Sequence, residues 1–124
     1  ALSLDNEVAL PGAVTAILFH AASKWLFCGL ADGQIKAFRQ EPLADSALAG
    51  HTGAVTGLLI HEVALLSSSQ DGTVRVWQYD NASGGFHCAA TVQSPLGAVF
   101  ALHVEGGLWL GAQGGISCVN LQSL

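Results

Sequence analysis

A short motif recurs three times along the chain. "GAVTAILF" begins at Gly12, "GAVTGLLI" at Gly53 and "GAVFALHV" at Gly97, so that successive copies start 41 and 44 residues apart. A second motif follows each copy in the same order, as "LFCGLADGQIKAF", "LLSSSQDGTVRVW" and "LWLGAQGGISCV". Two motifs that recur together with a regular period of this size are typical of repeat architectures, in which each repeat is one supersecondary unit.

Each repeat predicts short strands and no helix. Residues 73–76 alternate polar and apolar side chains, which is the period-2 pattern of a strand. Asp32-Gly33 and Asp71-Gly72 lie between two such runs, and Asp-Gly between strand patterns is a strong hairpin signal. We therefore predict that the chain is all-β and that the repeating unit is a four-stranded antiparallel meander.

The middle unit resembles a WD40 repeat, the blade of a β-propeller, over its whole length. The match runs from Gly50-His51 through Leu65-Leu66-Ser67 and Asp71-Gly72 to the run Val74-Arg75-Val76-Trp77. In that family a His, a Ser or Thr, an Asp and a Trp form a hydrogen-bonded structural set. The resemblance gives these roles to His51, Ser67, Asp71 and Trp77. Because buried indole and imidazole N–H groups need acceptors, such a set would fix a loop to the sheet.

The two flanking units depart from the WD40 pattern. The first unit has Leu10, Cys28 and Phe38 at the positions of the His, the Ser and the Trp. The third unit has Pro95 at the His position and Val119 at the Trp position, and it lacks the Asp. Replacing all partners of a polar set together by apolar residues leaves no buried group unsatisfied, so we expect both units to fold as blades.

The resemblance implies a partial WD40 β-propeller of about three four-stranded antiparallel blades, which one chain does not close. Propellers have four to eight blades. The predicted units span residues 9–49, 50–93 and 94–124, and residues 1–8 are the outer strand of a preceding blade, which gives twelve strands. Two explanations remain open. The chain is a piece of a larger propeller, or two copies form a homodimer that closes a six-bladed ring.

Composition and charge exclude several classes of partner. The net charge is −5, and four Lys and Arg residues form no basic patch for nucleic acid. The apolar runs are shorter than the ~20 residues of a membrane helix, and the first residues do not have the pattern of a signal peptide. Three widely spaced cysteines fit a reducing compartment. We expect an intracellular protein, cytoplasmic or nuclear, with neither nucleic acid nor membrane as a direct partner.

The chain shows no sequence pattern of an enzyme, a cofactor site or a metal site. There is no Gly-x-Ser-x-Gly elbow, no His-Glu-x-x-His motif and no phosphate-binding loop. His51, Ser67 and Asp71 are the residue types of a hydrolytic triad, but the blade pattern already requires them. His103 lies within an apolar strand and is expected in the core. We predict a non-catalytic protein without cofactor or metal.

The function implied by the resemblance is that of a protein–protein interaction scaffold, a structural platform within a larger assembly. In WD40 proteins the recognition surface is formed by the loops before each first strand and the turns between second and third strands. In this chain that surface would carry Thr52, Gln70, Pro95 and Leu96. We expect other proteins as partners, as subunits of a complex or as the rest of the propeller.

Two further observations leave alternatives open. Trp109 is a candidate anchor for a partner, because aromatic residues dominate binding hot spots. Trp25 is a candidate anchor for the same reason, and packing between blades is the alternative for both Trp25 and Trp109. The chain is also similar to plant-type proteins that join CCCH zinc fingers to WD40 repeats. In the alternative interpretation, the chain is therefore a fragment of a regulatory or RNA-associated protein of that type, and the active parts of that protein lie outside this chain.

Overall fold

The computed structural model describes residues 7–40 and 43–120. Within these ranges the regular structure consists of strands, and no helix has the length and apolar character needed to cross a membrane. The strands are β1 (Val14–His20), β2 (Trp25–Leu30), β3 (Ile35–Gln40), β4 (Leu43–Leu48), β5 (Val55–His61), β6 (Ala64–Ser69), β7 (Thr73–Asp80), β8 (Gly85–Gln93), β9 (Val99–Val104), β10 (Leu108–Ala112) and β11 (Gly115–Val119).

The strands form three antiparallel sheets, each of which is a meander. The first sheet contains β1 to β4, the second β5 to β8 and the third β9 to β11, and each strand pairs with its neighbour in sequence. This confirms the predicted all-β fold with unclosed, blade-like units. The predicted outer strand at residues 1–8 lies outside the described residues except for Glu7 and Val8, which belong to no strand.

The sheets stack side by side in chain order. Strand β1 contacts β5 and β5 contacts β9, while β4 contacts β8 farther out, so the first strand of each sheet forms the inner edge of the stack. One hydrophobic core lies between the first and second sheets, and a second core lies between the second and third sheets. Within the described ranges no strand pairing joins the third sheet to the first. Among the described residues, each of these two sheets contributes one face to a core shared with the second sheet.

Aromatic side chains fill the first core. The ring centroid of Trp25 lies 5.1 Å from that of Phe86 in an edge-on arrangement, and the Phe27 and Phe86 centroids are 5.4 Å apart. The guanidinium of Arg39 lies 4.6 Å from the centre of the Trp25 ring. Such aromatic and cation–π contacts add to the stabilisation from burial. Trp25 is buried by this packing between sheets.

Both Asp-Gly pairs form the expected tight turns between the second and third strands of their sheets. Gly33 has a φ of 97° and Gly72 a φ of 87°, a left-handed conformation that glycine adopts without a steric penalty. The Asp32 Oδ1 atom accepts a hydrogen bond of 2.9 Å from the backbone N–H of Gln34. Asp71 Oδ1 accepts the same bond, also 2.9 Å, from the N–H of Thr73. The aspartate thus closes the turn and the glycine permits it.

Each inner strand carries a β-bulge at the same repeat position. The register between β1 and β2 shifts around Thr15, and the register between β5 and β6 shifts around Thr56. The register between β9 and β10 shifts around Phe100 in the same way. A bulge leaves one residue without a partner in the ladder and redirects its side chain. The residue at each bulge is therefore available for contacts with a neighbouring sheet.

Candidate functional site

The four residues of the predicted structural set lie together in the second sheet. His51 Nε2 is 2.7 Å from Ser67 Oγ, and the Trp77 indole N–H donates to the same oxygen over 2.8 Å. On the other side of the imidazole ring, His51 Nδ1 lies 3.0 Å from Asp71 Oδ2. The side chains of His51, Ser67 and Trp77 are buried. The chain segment before β5 is thereby tied to β6 and β7.

The donors and acceptors allow one arrangement of protons in this network. Trp77 can only donate to Ser67, and the ionised Asp71 can only accept, so His51 must carry its proton on Nδ1. His51 Nε2 then accepts from the Ser67 hydroxyl. Every hydrogen bond points from Trp77 toward Asp71, and no buried polar atom of these four side chains lacks a partner. A fully satisfied buried network of this kind favours one conformation.

The carboxylate of Asp71 also holds two groups that sequence reasoning did not include. The Thr73 hydroxyl donates to Asp71 Oδ1 over 2.6 Å and lies 3.1 Å from His51 Nδ1. The backbone N–H of Thr52 donates to Asp71 Oδ2 over 2.9 Å. The signal for Thr73 was a hydroxyl two residues after an aspartate, a spacing that lets the side chain join the turn. Thr73 is thus a fifth member of the network.

The same contacts shift the protonation equilibria of the two titratable members. Burial lowers the pKa of His51 below its ordinary value, and the hydrogen bond to Asp71 offsets only part of this effect. Burial alone would raise the pKa of Asp71, but hydrogen bonds from Thr73, Thr52 and His51 outweigh it and lower the pKa to about 2. At neutral pH the network therefore contains a neutral imidazole and an ionised carboxylate.

Ser67, His51 and Asp71 are hydrogen-bonded to each other in the order found in a hydrolytic triad, but this site cannot act as one. Ser67 is 0% exposed, and its oxygen already accepts the indole N–H of Trp77. A nucleophile must reach a substrate carbonyl, and here the packed sheet closes every approach to it. The arrangement can position a loop, and it offers no open position for a reacting group.

The flanking sheets have the same strand pairing without this network. In the first sheet Cys28 lies at the Ser position and is buried, which raises the pKa of its thiol. In the third sheet the corresponding position is Leu110, which is also buried. The apolar replacements therefore fill the sheet interior without a buried donor that needs a partner. The network belongs to the second sheet, and it is not required for the blade to form.

Four of the predicted partner-binding residues lie at one end of the sheets. Thr52 precedes β5, Gln70 is in the turn between β6 and β7, and Pro95 and Leu96 precede β9. Strands β5 and β9 begin at the end where β6 and β10 finish, so these loops form one surface. The side chains of Thr52, Gln70 and Pro95 are exposed, and that of Leu96 is half-buried. We call these four residues the loop surface.

Backbone hydrogen bonds hold the loop surface in place. The N–H of Gln70 donates over 3.0 Å to the carbonyl that immediately precedes β5. The carbonyl of Leu96 accepts a 2.9 Å hydrogen bond from Gly114 in the turn between β10 and β11. Together with the bond from Thr52 to the Asp71 carboxylate, these contacts tie neighbouring loops to each other. The surface is presented by loops whose backbone is fixed.

Trp109 is not part of the loop surface. It is the second residue of β10, opposite His103 and Cys118, on the face of the third sheet that points away from the second sheet. His103 shares that face and is exposed, so its predicted place in the core is wrong. The three cysteines are free, and the described part of the chain holds no cluster of three or more metal-ligating side chains.

The family model of the WD domain, G-beta repeat, matches residues 7–39 and 43–78, which is more than half of the chain. The chain belongs to the WD40 family. This confirms the resemblance predicted from the repeats, and the matched residues include His51 and the Asp-Gly turn that precede Trp77.

Relatives of this WD40 chain include a CCCH domain-containing protein and a complex subunit. It is 34% identical over 80 residues to zinc finger CCCH domain-containing protein 17 of Oryza sativa subsp. japonica, a match that covers 64% of this chain and 18% of that protein. It is 39% identical over 66 residues to target of rapamycin complex subunit wat1 of Schizosaccharomyces pombe, covering 52% of this chain and 21% of the relative. The WD40 chain therefore spans about a fifth of the length of these relatives.

A solved structure supports the same fold. The β-propeller domain of Cps50 (Swd1) from Myceliophteria thermophila superimposes with a TM-score of 0.69 at 20% identity, covering 87% of this chain and 33% of that one. At this level of identity the likeness shows the fold alone. The WD40 chain is thus built as a series of propeller blades that make up about a third of a propeller of that kind.

Proposed function

We propose that this WD40 chain is a non-catalytic protein–protein interaction scaffold that works as a structural platform within a larger assembly. The observation that carries the proposal is a loop surface with three exposed side chains and one half-buried side chain on loops whose backbone is fixed by hydrogen bonds. The Thr52 side chain faces solvent, while its N–H is bound to Asp71 in the buried network. A surface that is already ordered binds a partner without the cost of ordering its loops.

The chemistry of the loop surface indicates the kind of partner. Thr52, Gln70, Pro95 and Leu96 carry no charge, so this surface suits a neutral and partly apolar patch on another protein. With four Lys and Arg residues in 124, the chain has no basic surface for direct binding of nucleic acid. A relative named as a complex subunit supports the assembly of this chain with other proteins. Its three free cysteines suit the cytoplasm or the nucleus.

The proposal can be tested by comparing the proteins captured by matched variants of the chain. The binding variant replaces Leu96 by Asp and Gln70 by Lys, which puts charge on the loop surface without touching the buried network. The control variant is Val63→Asp, because Val63 is exposed in the turn between β5 and β6 at the opposite end of the sheets. Quantitative mass spectrometry after tagged capture from cells then compares both variants with the unmodified chain.

The expected result is one set of proteins that the unmodified chain and the Val63→Asp chain both retain and the binding variant loses. Circular dichroism should give the same spectrum for all three chains, which separates lost binding from lost folding. If the binding variant retains the same set at the same abundance, the loop surface is not the binding surface and the proposal is wrong.

A second candidate function follows from the zinc finger relative. The chain is similar over 64% of its length to a CCCH domain-containing protein, so it can be the WD40 part of a regulatory or RNA-associated protein whose active parts lie outside these residues. In that case the set of captured proteins should be rich in RNA-binding proteins and should shrink after ribonuclease treatment. Capture that does not change after ribonuclease treatment favours the scaffold alone.

A further inference from the structure

Arg75, the third residue of β7, has a charged side chain without a charged partner. No carboxylate of the described residues lies within ion-pair distance of its guanidinium. The Nε–H of Arg75 is buried and has no hydrogen-bond acceptor in the described part of the chain. Its Nη1 atom donates to a weak acceptor, the Sγ atom of Cys88, over 3.7 Å. Since a guanidinium has five N–H donors and charges that leave water are normally paired, this group lacks an acceptor.

The guanidinium of Arg75 is held in the cleft between the first and second sheets and reaches toward β8. Arg75 lies opposite Thr91 of β8, on the sheet face that also carries Trp77. A Cβ on Gly50 would lie 2.9 Å from Nη1 and 3.1 Å from Cζ of Arg75, so the guanidinium occupies the space that a side chain at Gly50 would fill. Both sheets beside the cleft are described, so the lack of a partner for Arg75 is not a consequence of where the chain begins or ends.

Strand β8, which the tip of Arg75 reaches, is an outer strand with a long and uncharged edge. It is nine residues long, and within the described residues it pairs with β7 alone. Its sequence, GFHCAATVQ, contains no Lys, Arg, Asp, Glu or Pro. Proteins usually protect an exposed edge with such residues, because its unpaired N–H and C=O groups can pair with another strand. The register shift at Ala89 bends β8, and beyond it Ala90–Gln93 form a regular edge beside Arg75.

We propose that the edge at Ala90–Gln93 pairs with an extended segment of a partner protein and that Arg75 binds a carboxylate side chain of this segment. When a strand is added to a sheet edge, main-chain hydrogen bonds supply affinity and side-chain contacts supply specificity. Neighbouring strands lie about 4.8 Å apart, so an added strand would lie one such spacing from β8, where the Arg75 guanidinium meets Cys88. A carboxylate suits a single guanidinium because it accepts two parallel N–H bonds. The proposal concerns the outer edge of the second sheet and does not depend on the loop surface.

The charges around the edge select an acidic segment as its occupant. The exposed side chains of Cys88 and Thr91, which lie beside the guanidinium, carry no carboxylate. The edge of β8 in a second copy would bring no carboxylate to Arg75 either, because β8 contains no Asp or Glu. A basic segment would place a like charge beside the guanidinium, which is unfavourable in a partly buried cleft. An extended segment with an Asp or Glu side chain supplies both the strand and the acceptor.

The test is an NMR titration of the isotope-labelled chain with two matched peptides. The first peptide is Thr-Val-Thr-Asp-Thr-Val-Thr, whose β-branched residues favour an extended conformation, and the second has Asn in place of Asp. The backbone amides of Ala90–Gln93 should shift and gain protection from hydrogen exchange on binding. The Asp peptide should bind about tenfold more tightly, because hydrogen bonds to a charged group are the stronger ones. Equal binding of the two peptides, or no response of these amides at millimolar peptide, would overturn the proposal.

Two variants test the role of Arg75 itself. Arg75→Gln removes the charge, so the two peptides should bind this variant equally. Thr91→Glu places a carboxylate directly opposite Arg75, so it should occupy the guanidinium from within the chain and also abolish the preference for the Asp peptide. The matched control is His87→Glu, which adds a carboxylate to the same strand at an exposed residue opposite Gln78, on the other face of β8. The control should keep the tenfold preference.

Urea denaturation gives a second measurement that needs no peptide. Thr91→Glu should raise the urea midpoint above that of the unmodified chain because it gives Arg75 the missing acceptor, whereas His87→Glu should not raise it. All variants should keep the circular dichroism spectrum of the unmodified chain, which separates lost binding from lost folding. If Arg75→Gln keeps the tenfold preference for the Asp peptide, or if Thr91→Glu leaves the urea midpoint unchanged, Arg75 does not bind a carboxylate and the proposal is wrong.

Discussion

Replacing Ser67 by Ala should cost more stability than one lost hydrogen bond. Its hydroxyl is fully buried, accepts the Trp77 indole N–H over 2.8 Å and donates to His51 Nε2 over 2.7 Å. Without it, both partners stay buried with an unsatisfied polar group, and each such group costs about 1–3 kcal/mol. We therefore expect the free energy of unfolding to fall by about 2–4 kcal/mol, a large part of the stability of a small domain.

The assay is urea denaturation followed by circular dichroism. With a slope of about 2 kcal/mol per molar urea, a loss of this size lowers the midpoint by roughly 1–2 M. The control is Ser83→Ala, because Ser83 is exposed in the turn between β7 and β8. Its free energy of unfolding should stay within about 0.5 kcal/mol of the unmodified chain.

A double-mutant cycle tests the reasoning behind the magnitude. Trp77→Phe removes the indole donor, so Ser67→Ala made in that background leaves one unsatisfied group where the single variant leaves two. The combined loss should therefore be smaller than the sum of the single losses by about 1 kcal/mol or more. Strictly additive losses, or a loss below about 1 kcal/mol for Ser67→Ala, would refute the account of the network.

Three further predictions concern neighbouring features. The free energy of unfolding should fall as the pH drops below about 6.5 and again below about 4. His51 and Asp71 both have lowered pKa values in the fold, so the folded chain binds fewer protons than the unfolded chain in these two ranges. Urea midpoints measured between pH 8 and pH 3 test this. Thr56→Val should lower the free energy of unfolding by about 1–2 kcal/mol by removing the bond to the third sheet, and an unchanged urea midpoint would contradict it. Gly33→Ala should lower the free energy of unfolding by over about 1 kcal/mol, because φ at Gly33 is 97° and the new Cβ meets the backbone carbonyl of His51. Gly12→Ala is the control and should leave the melting temperature unchanged, because a Cβ at Gly12 meets no other atom.

The strands, their order and the Asp-Gly turns were predictable because each depends on local chemistry. The alternation over residues 73–76 indicates a strand, as found in β7, although both faces of β7 are buried there. Glycine after aspartate indicates a left-handed turn position, as found at Gly72. The members of the buried network were predictable from the family resemblance. Thr73 was missed because its spacing from Asp71 predicts only a turn contact, whereas its approach to His51 depends on how the segment before β5 packs on that turn.

The exposure of individual aromatic residues was not predictable in the same way. Trp25 and Trp109 both occur in strands with apolar neighbours, yet one is buried and the other exposed. The difference arises because Trp25 faces the second sheet and Trp109 faces away from it, which only the order of the sheets decides. The bulges at Thr15 and Thr56 were also not predictable, because a period-2 pattern does not show which residue lacks a pairing partner on the neighbouring strand.

The distribution of the polar network separates forming a blade from positioning a loop. The first sheet has Cys28 and Phe38 where the second has Ser67 and Trp77, and it still forms a four-stranded sheet. The network is therefore not what makes these strands pair. What it adds in the second sheet is the hydrogen bond from Thr52 to a carboxylate that is itself held by buried partners. Ser67→Ala should therefore weaken binding that depends on Thr52, while all four strands of the second sheet remain protected in hydrogen exchange under native conditions.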